Sequence, residues 1–88
     1  MVDVDWDGIA AKLFERWGSG FRPLTDKADV GKLLAISIGL GALFNENEEA
    51  ERQWMQTPHA ALKTRPITVL YSEAYQEVLD QVNKERGL

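Results

Sequence analysis

Few residues of this chain have side chains that could carry out chemistry. Its single histidine, His59, could serve as a general base or as a metal ligand. No cysteine and no second histidine accompanies it, so a metal ion would need carboxylates alone as further ligands. Four glutamates, Glu46, Glu48, Glu49 and Glu51, lie close together, but they lack the alternating oxygen ligands of a hard-cation loop. We interpret them as side chains that mostly face water, and we predict no catalytic residue, no metal site and no cofactor.

Two short glycine motifs could suggest a phosphate-binding loop. They are Gly18-Ser19-Gly20 and Gly39-Leu40-Gly41. A phosphate loop follows a strand and continues into a glycine-lysine motif, and neither motif does so. We interpret them as a helix end and a place of close helix packing, so the sequence does not predict an enzyme.

The chain is acidic, with a formal net charge of −4. Lys63 and Arg65 form a small basic island within it. Nucleic-acid affinity depends largely on clustered lysines and arginines, and no predicted helix presents the basic and amide side chains of a recognition helix. The sequence therefore argues against nucleic acid as a partner of this chain alone.

Apolar residues recur at helical spacing through most of the chain. In the first such stretch they run from Trp6 to Trp17, and Asp3 or Asp5 could cap the helix. Residues 18–23 contain two glycines and a proline, which predicts a linker.

The next predicted helix has Thr25 as its N-cap and Asp26 in its first turn, and it runs to about Phe44. Nearly every residue in its second half is apolar or small, which is typical of a helix surrounded on several sides. We predict that it is the central helix, with Gly39 as the place where an interruption could occur.

The second half of the chain predicts shorter helices. Asn47 would cap a helix that ends near Thr57, because a proline disfavours helical backbone in the residue before it. A shaped, non-helical segment follows, which we call the proline connection (residues 57–65). Pro66 would begin a single helical turn, and Ser72 would cap a last helix.

These patterns predict an all-α fold, a small single-domain bundle of about four to five helices. Residues 1–23 would form an N-terminal amphipathic helix and linker, and residues 24–88 the main helical unit. No apolar run reaches the length of about 20 residues that crosses a bilayer, and the first residues are acidic where a secretory signal would be basic. We therefore predict no membrane association and a cytoplasmic location.

Candidate contacts with a partner cluster around the proline connection. Tyr71 and Tyr75 lie near Lys63 and Arg65 in the sequence. Tyrosine and arginine are among the residue types that dominate the energetics of protein interfaces. We predict that these four side chains contact a protein partner.

The second half of the chain resembles the toxin-binding domain of the MbcA/ParS/Xre antitoxins. The resemblance covers about residues 24–87 and follows the family's order of a leucine-phenylalanine pair, an acidic turn, an alanine, a tryptophan, two prolines around a leucine, and a paired apolar ending. The motif positions in this sequence are Trp54, Pro58, Leu62, Pro66 and Leu70. The remaining residues that carry the resemblance are Leu43-Phe44-Asn45-Glu46-Asn47, Ala50 and Val78-Leu79.

The chain departs from the family pattern mainly in the proline connection. His59 stands where the family usually has asparagine. Before the second proline the family usually has glycines, whereas this chain has Lys63 and Thr64 and is one residue shorter. A glycine that the family has near Ala74 is also missing. Full-length members also carry an N-terminal helix-turn-helix domain, whereas residues 1–23 have room for one helix. The resemblance therefore implies toxin binding without implying repression of an operon.

The implied function is that of an antitoxin that binds and occludes a RES-domain toxin, an enzyme that consumes NAD or transfers ADP-ribose from it. Occluding the NAD cleft of another protein needs no chemistry in the antitoxin, in agreement with the lack of predicted catalytic residues. The predicted contacts are His59, Lys63, Arg65, Tyr71, Tyr75 and the tail of residues 84–88, including Arg86 and Leu88.

Two other functions fit the same residues. A stand-alone adaptor of phage or mobile-element origin could use this fold to bind another protein, and a small DNA-binding transcriptional regulator is the third option. Members of the family commonly self-associate, so we also expect a homodimer. The amphipathic first helix would then either close the core or pair with its copy.

Overall fold

The computed structural model describes residues 5–20 and 26–88, and that part of the chain forms five α-helices. In chain order they are α1 (Trp6–Arg16), α2 (Lys27–Phe44), α3 (Glu48–Gln56), α4 (Pro66–Tyr71) and α5 (Tyr75–Glu85). The described residues contain no strand beyond an isolated antiparallel bridge between His59 and Thr64. The prediction of an all-α bundle is confirmed. The predicted caps Asp3 and Thr25 and the linker residues 21–23 lie outside the described residues.

Short polar side chains begin the first three helices. Asp5, Asp26 and Asn47 each accept a hydrogen bond from the backbone N–H three residues later, at 2.9, 2.9 and 3.1 Å. A cap of this kind satisfies one of the N–H groups that has no partner within the helix. The cap at Asn47 was predicted, and Asp5 is one of the two residues predicted as the cap of α1. Asp26 was predicted inside the first turn of α2 and instead precedes it as the N-cap.

The boundary between α4 and α5 differs from the prediction that Ser72 begins the last helix. Ser72 instead ends α4, where its hydroxyl donates to the carbonyl of Val69 at 2.8 Å. Glu73 then turns the chain with a left-handed φ of 65°, and α5 begins at Tyr75 after Ala74. The prediction of Ser72 as an N-cap is wrong, because its hydroxyl already donates to a carbonyl of the preceding helix, α4.

The longest helix, α2, organises the bundle. Its most extensive contact is with α5, and it also packs against α1 and α3, while α4 joins α3 to α5. Helix α2 runs unbroken through Gly39, so the predicted interruption does not occur. A Cβ atom at Gly39 would collide with Cγ1 of Val82 in α5. The glycine therefore allows a close approach of the two helices.

The core lies between α2 and the other helices. Trp17 is fully buried and Trp54 is 7% exposed, whereas Trp6 packs at the edge of the core. The buried apolar side chains are Ala10, Phe14, Trp17, Val30, Leu33, Ile36, Leu40, Trp54, Met55, Ile67, Val69, Leu70, Tyr75, Val78 and Val82.

One side of α2 is not covered by the other described helices. Ile38 is 68% exposed and Leu34 is 38% exposed, so α2 is central without being surrounded on all sides. None of the described helices is by itself long and apolar enough to cross a bilayer. Only α2 and α3 taken together, with a bend of 114° between them, meet that measure of length and composition.

Candidate functional site

The proline connection folds into a closed turn. The backbone N–H of His59 donates to the carbonyl of Thr64 at 3.0 Å, and the N–H groups of Leu62 and Lys63 donate to the carbonyl of His59 at 3.1 and 2.8 Å. Lys63 adopts a left-handed φ of 63°. Non-glycine residues take this conformation at a cost because their Cβ crowds the carbonyl oxygen. The connection is thus non-helical, as the prolines predicted, and its shape is set by its own backbone hydrogen bonds.

Pro58 and Pro66 mark the two boundaries of the connection, where it follows α3 and where it enters α4. Helix α3 ends at Gln56, and the hydroxyl of Thr57 donates to the carbonyl of Gln53 at 2.7 Å. Pro66 is the first residue of α4 and is buried. Proline suits that position because its missing N–H would have no partner there and its φ is already helical. The predicted roles of the prolines at these two boundaries are confirmed.

Trp54 joins the connection to the end of α5. Its indole ring contacts the ring of His59, with centroids 4.7 Å apart and planes tilted by 55°. On its other side, Nε1 donates to both carboxylate oxygens of Glu85 at 3.1 Å. A single buried side chain of α3 therefore contacts both the connection and the end of α5, where the C-terminal tail begins.

The two basic side chains of the connection, Lys63 and Arg65, lie against different parts of the bundle. Arg65 donates to Oε1 of Gln56 at 2.9 Å, and Nε2 of Gln56 donates to the carbonyl of Trp17 at 2.9 Å. Lys63 is exposed and instead lines an open depression of about 460 Å³ together with Lys84 of α5. Arg65 is thus oriented toward α3 and α1, whereas Lys63 lies beside α5.

The C-terminal tail follows directly from this region. Leu88 is 77% exposed, and the backbone N–H of Leu88 donates to the carbonyl of Asn83 at 2.9 Å. Arg86 is exposed, and its Cδ lies 3.4 Å from the Cβ position of Gly39. The tail therefore starts as a turn that stays against α2 and displays its last side chain.

The two tyrosines that were predicted as contacts pack within the bundle. Tyr71 is half-buried, its hydroxyl hydrogen-bonds with the hydroxyl of Ser19 at 2.5 Å, and its ring stacks on Phe14 at 6.3 Å. Tyr75 is 2% exposed, and its hydroxyl has no hydrogen-bond partner among the described residues. Burial, together with the nearby carboxylate of Asp29, raises the pKa of Tyr75 to about 12. Tyr75 therefore has almost no surface to offer a partner.

A buried carboxylate and its ion pair were missed by the sequence reasoning. Glu51 was expected to face water, yet its side chain is 1% exposed and its Oε2 accepts from Nη2 of Arg16 at 2.8 Å. This hydrogen bond raises the pKa of Arg16. Glu51 lies one turn before Trp54 and Met55, so helical spacing placed it on the inner face. The partner on α1, 35 residues away, carried no local signal.

The described residues 5–20 and 26–88 hold no group of three His, Asp or Glu side chains that could bind a metal ion. His59 packs against an indole ring rather than against a carboxylate or a nucleophile. What this region presents is a turn closed by backbone hydrogen bonds, with the cationic side chains of Lys63 and Arg65 exposed on it.

Comparison with known proteins matches this region to one family. The sequence model described as the antitoxin Xre/MbcA/ParS C-terminal toxin-binding domain matches residues 40–87, which is more than half of the chain. The matched segment runs from the end of α2 through α5 and includes Trp54 and the whole proline connection. Neither a search of curated proteins nor a search of solved structures finds a significant match.

Proposed function

The chain belongs to the Xre/MbcA/ParS antitoxin family through its C-terminal toxin-binding domain, and from this premise we propose that it neutralises a RES-domain toxin by binding and occluding the toxin's NAD cleft. The observation that carries the proposal is the role of Trp54. This side chain fixes the proline connection and the end of α5 to each other, and so prepares one surface before the partner arrives. A rigid surface loses little conformational entropy on binding. No catalytic step in this chain is required.

Two parts of this surface supply the proposed contacts. The first is the connection, with His59, Lys63 and Arg65, and the second is the tail, with Arg86 and Leu88. Their positive charges would pair with acidic or polar acceptors of the toxin around its NAD cleft, because opposite charges across an interface attract each other and fix the register of the two proteins. Tyr71 and Tyr75 would support the surface from within the bundle rather than touch the toxin.

The proposed target also sets the place of action and the assembly. An enzyme that uses NAD works where NAD is abundant, so we place the interaction in the cytoplasm. We also propose that the protein self-associates, in keeping with its small core and the exposed side of α2.

The proposal is tested with a RES-domain toxin encoded beside this gene. Co-expression of the wild-type chain should restore growth, and calorimetry should show direct binding. Lys63→Glu and Arg86→Glu should each weaken binding roughly tenfold, since a repulsive charge would enter the contact. Lys12→Glu on α1 is the matched control, because Lys12 is exposed and lies outside the matched segment.

Growth arrest that persists in the presence of the folded protein would overturn the proposal. Capture of a non-toxin protein by the same surface, without any effect on the toxin, would instead favour an adaptor.

A further inference from the structure

One face of α2 carries an exposed apolar stripe. Lys27, Gly31, Leu34, Ile38 and Ala42 are all exposed and follow one another at steps of three or four residues, so they lie along one side of the helix. We call these five residues the outward stripe of α2. Ile38 and Leu34 are, with Leu88 of the tail, the large apolar side chains that the described residues expose. Among residues 5–20 and 26–88, no other helix covers this side of α2.

The two ends of the outward stripe carry opposite charges. Lys27 is its first residue. At the other end Glu46 is exposed, and it lines an open depression of about 740 Å³ together with Ile38 and Ala42. Its Cγ lies 3.7 Å from the Cβ position of Gly41. The stripe therefore runs from a positive charge to a negative one, and the residues between them are uncharged.

Both charges are unfavourable for the helix that carries them. The N-terminus of a helix is partly positive and its C-terminus partly negative. Lys27 nevertheless begins α2, and Glu46 comes two residues after its end. In an antiparallel second copy, each charge would lie beside a charge and a helix end of opposite sign. The arrangement of Lys27 and Glu46 is therefore unfavourable within one chain, but it is complementary to the same arrangement in an antiparallel second copy.

We propose that the outward stripes of two copies pair antiparallel and form the interface of the homodimer. One register places Lys27 opposite Glu46 and Gly31 opposite Ala42, because Gly31 follows Lys27 by four residues and Glu46 follows Ala42 by four. Ile38 then lies near Ala35 of the second copy. Glycine and alanine at the crossing let the two helices approach closely. The inference rests on the proposed self-association and identifies the face that would produce it.

A single helix pair makes a small interface. Stable interfaces bury about 1,200–2,000 Å² in total, and smaller ones belong to weak or transient contacts. We therefore expect a dimer whose population depends on protein concentration in the micromolar range.

Sedimentation of the full chain over a range of concentrations tests this interface. Ile38→Asp should abolish the dimer, because it buries a charge at the centre of the contact. Lys27→Glu and Glu46→Lys should each raise the dimer Kd about tenfold, since like charges would meet at both ends. An equimolar mixture of these two variants should dimerise as well as the wild type, because each end of the mixed pair again joins opposite charges. Lys84→Glu on α5 is the control and should leave the dimer unchanged.

Three results would overturn the inference, and each points to a different error. A wild-type chain that stays monomeric at all concentrations would remove self-association itself. A dimer that survives Ile38→Asp would place the interface elsewhere. Charge variants that fail to recover on mixing would exclude the antiparallel register. Toxin binding by Ile38→Asp, measured separately, shows whether the toxin surface is intact, so that failure of this interface is distinguished from failure of the proposed function.

Discussion

The helical body and the proline connection are stabilised in different ways. In the body, the helices are held by close apolar packing and by the ion pair between Arg16 of α1 and the buried Glu51 of α3. In the connection, a short segment is shaped by three backbone hydrogen bonds and by contact with one indole ring. If the connection carries the proposed contacts with the toxin, this difference makes stability and recognition separable. Substitutions in the body should lower the free energy of unfolding, whereas those in the connection should mainly lower affinity for the toxin.

Arg16→Met should strongly destabilise the body. It leaves the carboxylate of Glu51 buried at 1% exposure without its cation. Breaking a buried pair in this way costs about 3 kcal/mol of unfolding free energy. Arg52→Met is the matched control, because Arg52 pairs with Glu48 on the surface at 3.3 Å and such pairs contribute less than about 1 kcal/mol. Chemical denaturation measures both, and equal losses for the two variants would contradict the buried pair's role.

A second test of the body compares the same change at two glycines of α2. Gly39→Ala would force Cβ against Val82 and should destabilise the fold by about 2 kcal/mol. Gly31→Ala meets open space and should stabilise it by up to about 1 kcal/mol through better helix propensity. Val82→Ala should rescue part of the Gly39→Ala loss in the double variant, a coupling that thermal unfolding detects. If the two single variants shifted stability in the same direction, close approach at Gly39 would be excluded.

The joint between body and connection is tested by Trp54→Phe. Phenylalanine keeps a buried ring but cannot donate to Glu85, so unfolding free energy should fall by about 1.5 kcal/mol. Affinity for the toxin should fall more than stability does, because the end of α5 is no longer fixed to the connection. Trp17→Phe is the control: the Nε1 of Trp17 is buried without a partner among the described residues. That variant should leave the affinity of the folded protein unchanged, and a matching loss of affinity would show that Trp54 has no special role.

The connection itself is tested at Lys63, which adopts a left-handed φ of 63°. Lys63→Gly should raise unfolding free energy by about 1 kcal/mol, because glycine takes this conformation without crowding. It should also weaken toxin binding, because a proposed contact charge is lost. Lys63→Ala separates the two effects, since it removes the charge and keeps the Cβ. We expect both variants to bind weakly and only the glycine variant to gain stability; tight binding by either would remove Lys63 from the contact surface.

Local signals predicted much of the fold. Asp5 and Asn47 were recognisable as caps and Pro66 as a first helical residue, because each acts on backbone groups within a few positions. The sequence could not show that Glu51 is buried, since its partner Arg16 comes from another helix. Nor could it show that Ile38 is exposed, because an almost wholly apolar helix has no polar face to mark the outside.

The sequence predicted where the proline connection lies in the chain but not how it is built. The prolines located the connection, and the types of its side chains suggested contact residues. The turn closed by His59 and Thr64, the bond from Trp54 to Glu85 and the burial of Tyr75 depend on contacts between separate elements. Such contacts are set by the packing of the whole bundle, so no local pattern reveals them.

The smallest expected effect returns to the body, at Tyr75. The pKa of this phenol is raised from 10.0 to about 12, mainly by burial, so the folded state disfavours the ionised form. Below pH 10 this makes no difference to stability, and stability is lost as the pH rises from about 10 toward 12. Tyr75→Phe should reduce that loss and, at pH 7, stabilise the fold by roughly 0.5 kcal/mol, because an unpaired hydroxyl is no longer buried. Tyr71→Phe, which removes a hydroxyl bonded to Ser19, should instead destabilise the fold at pH 7. Ultraviolet titration together with thermal unfolding from pH 7 to 12 measures both variants. An ionisation of Tyr75 near pH 10 in the folded protein would show that its hydroxyl is open to water. Tyr75 would then not belong to the buried part of the helical body, and the contrast between the buried body and the exposed connection would not hold at this residue.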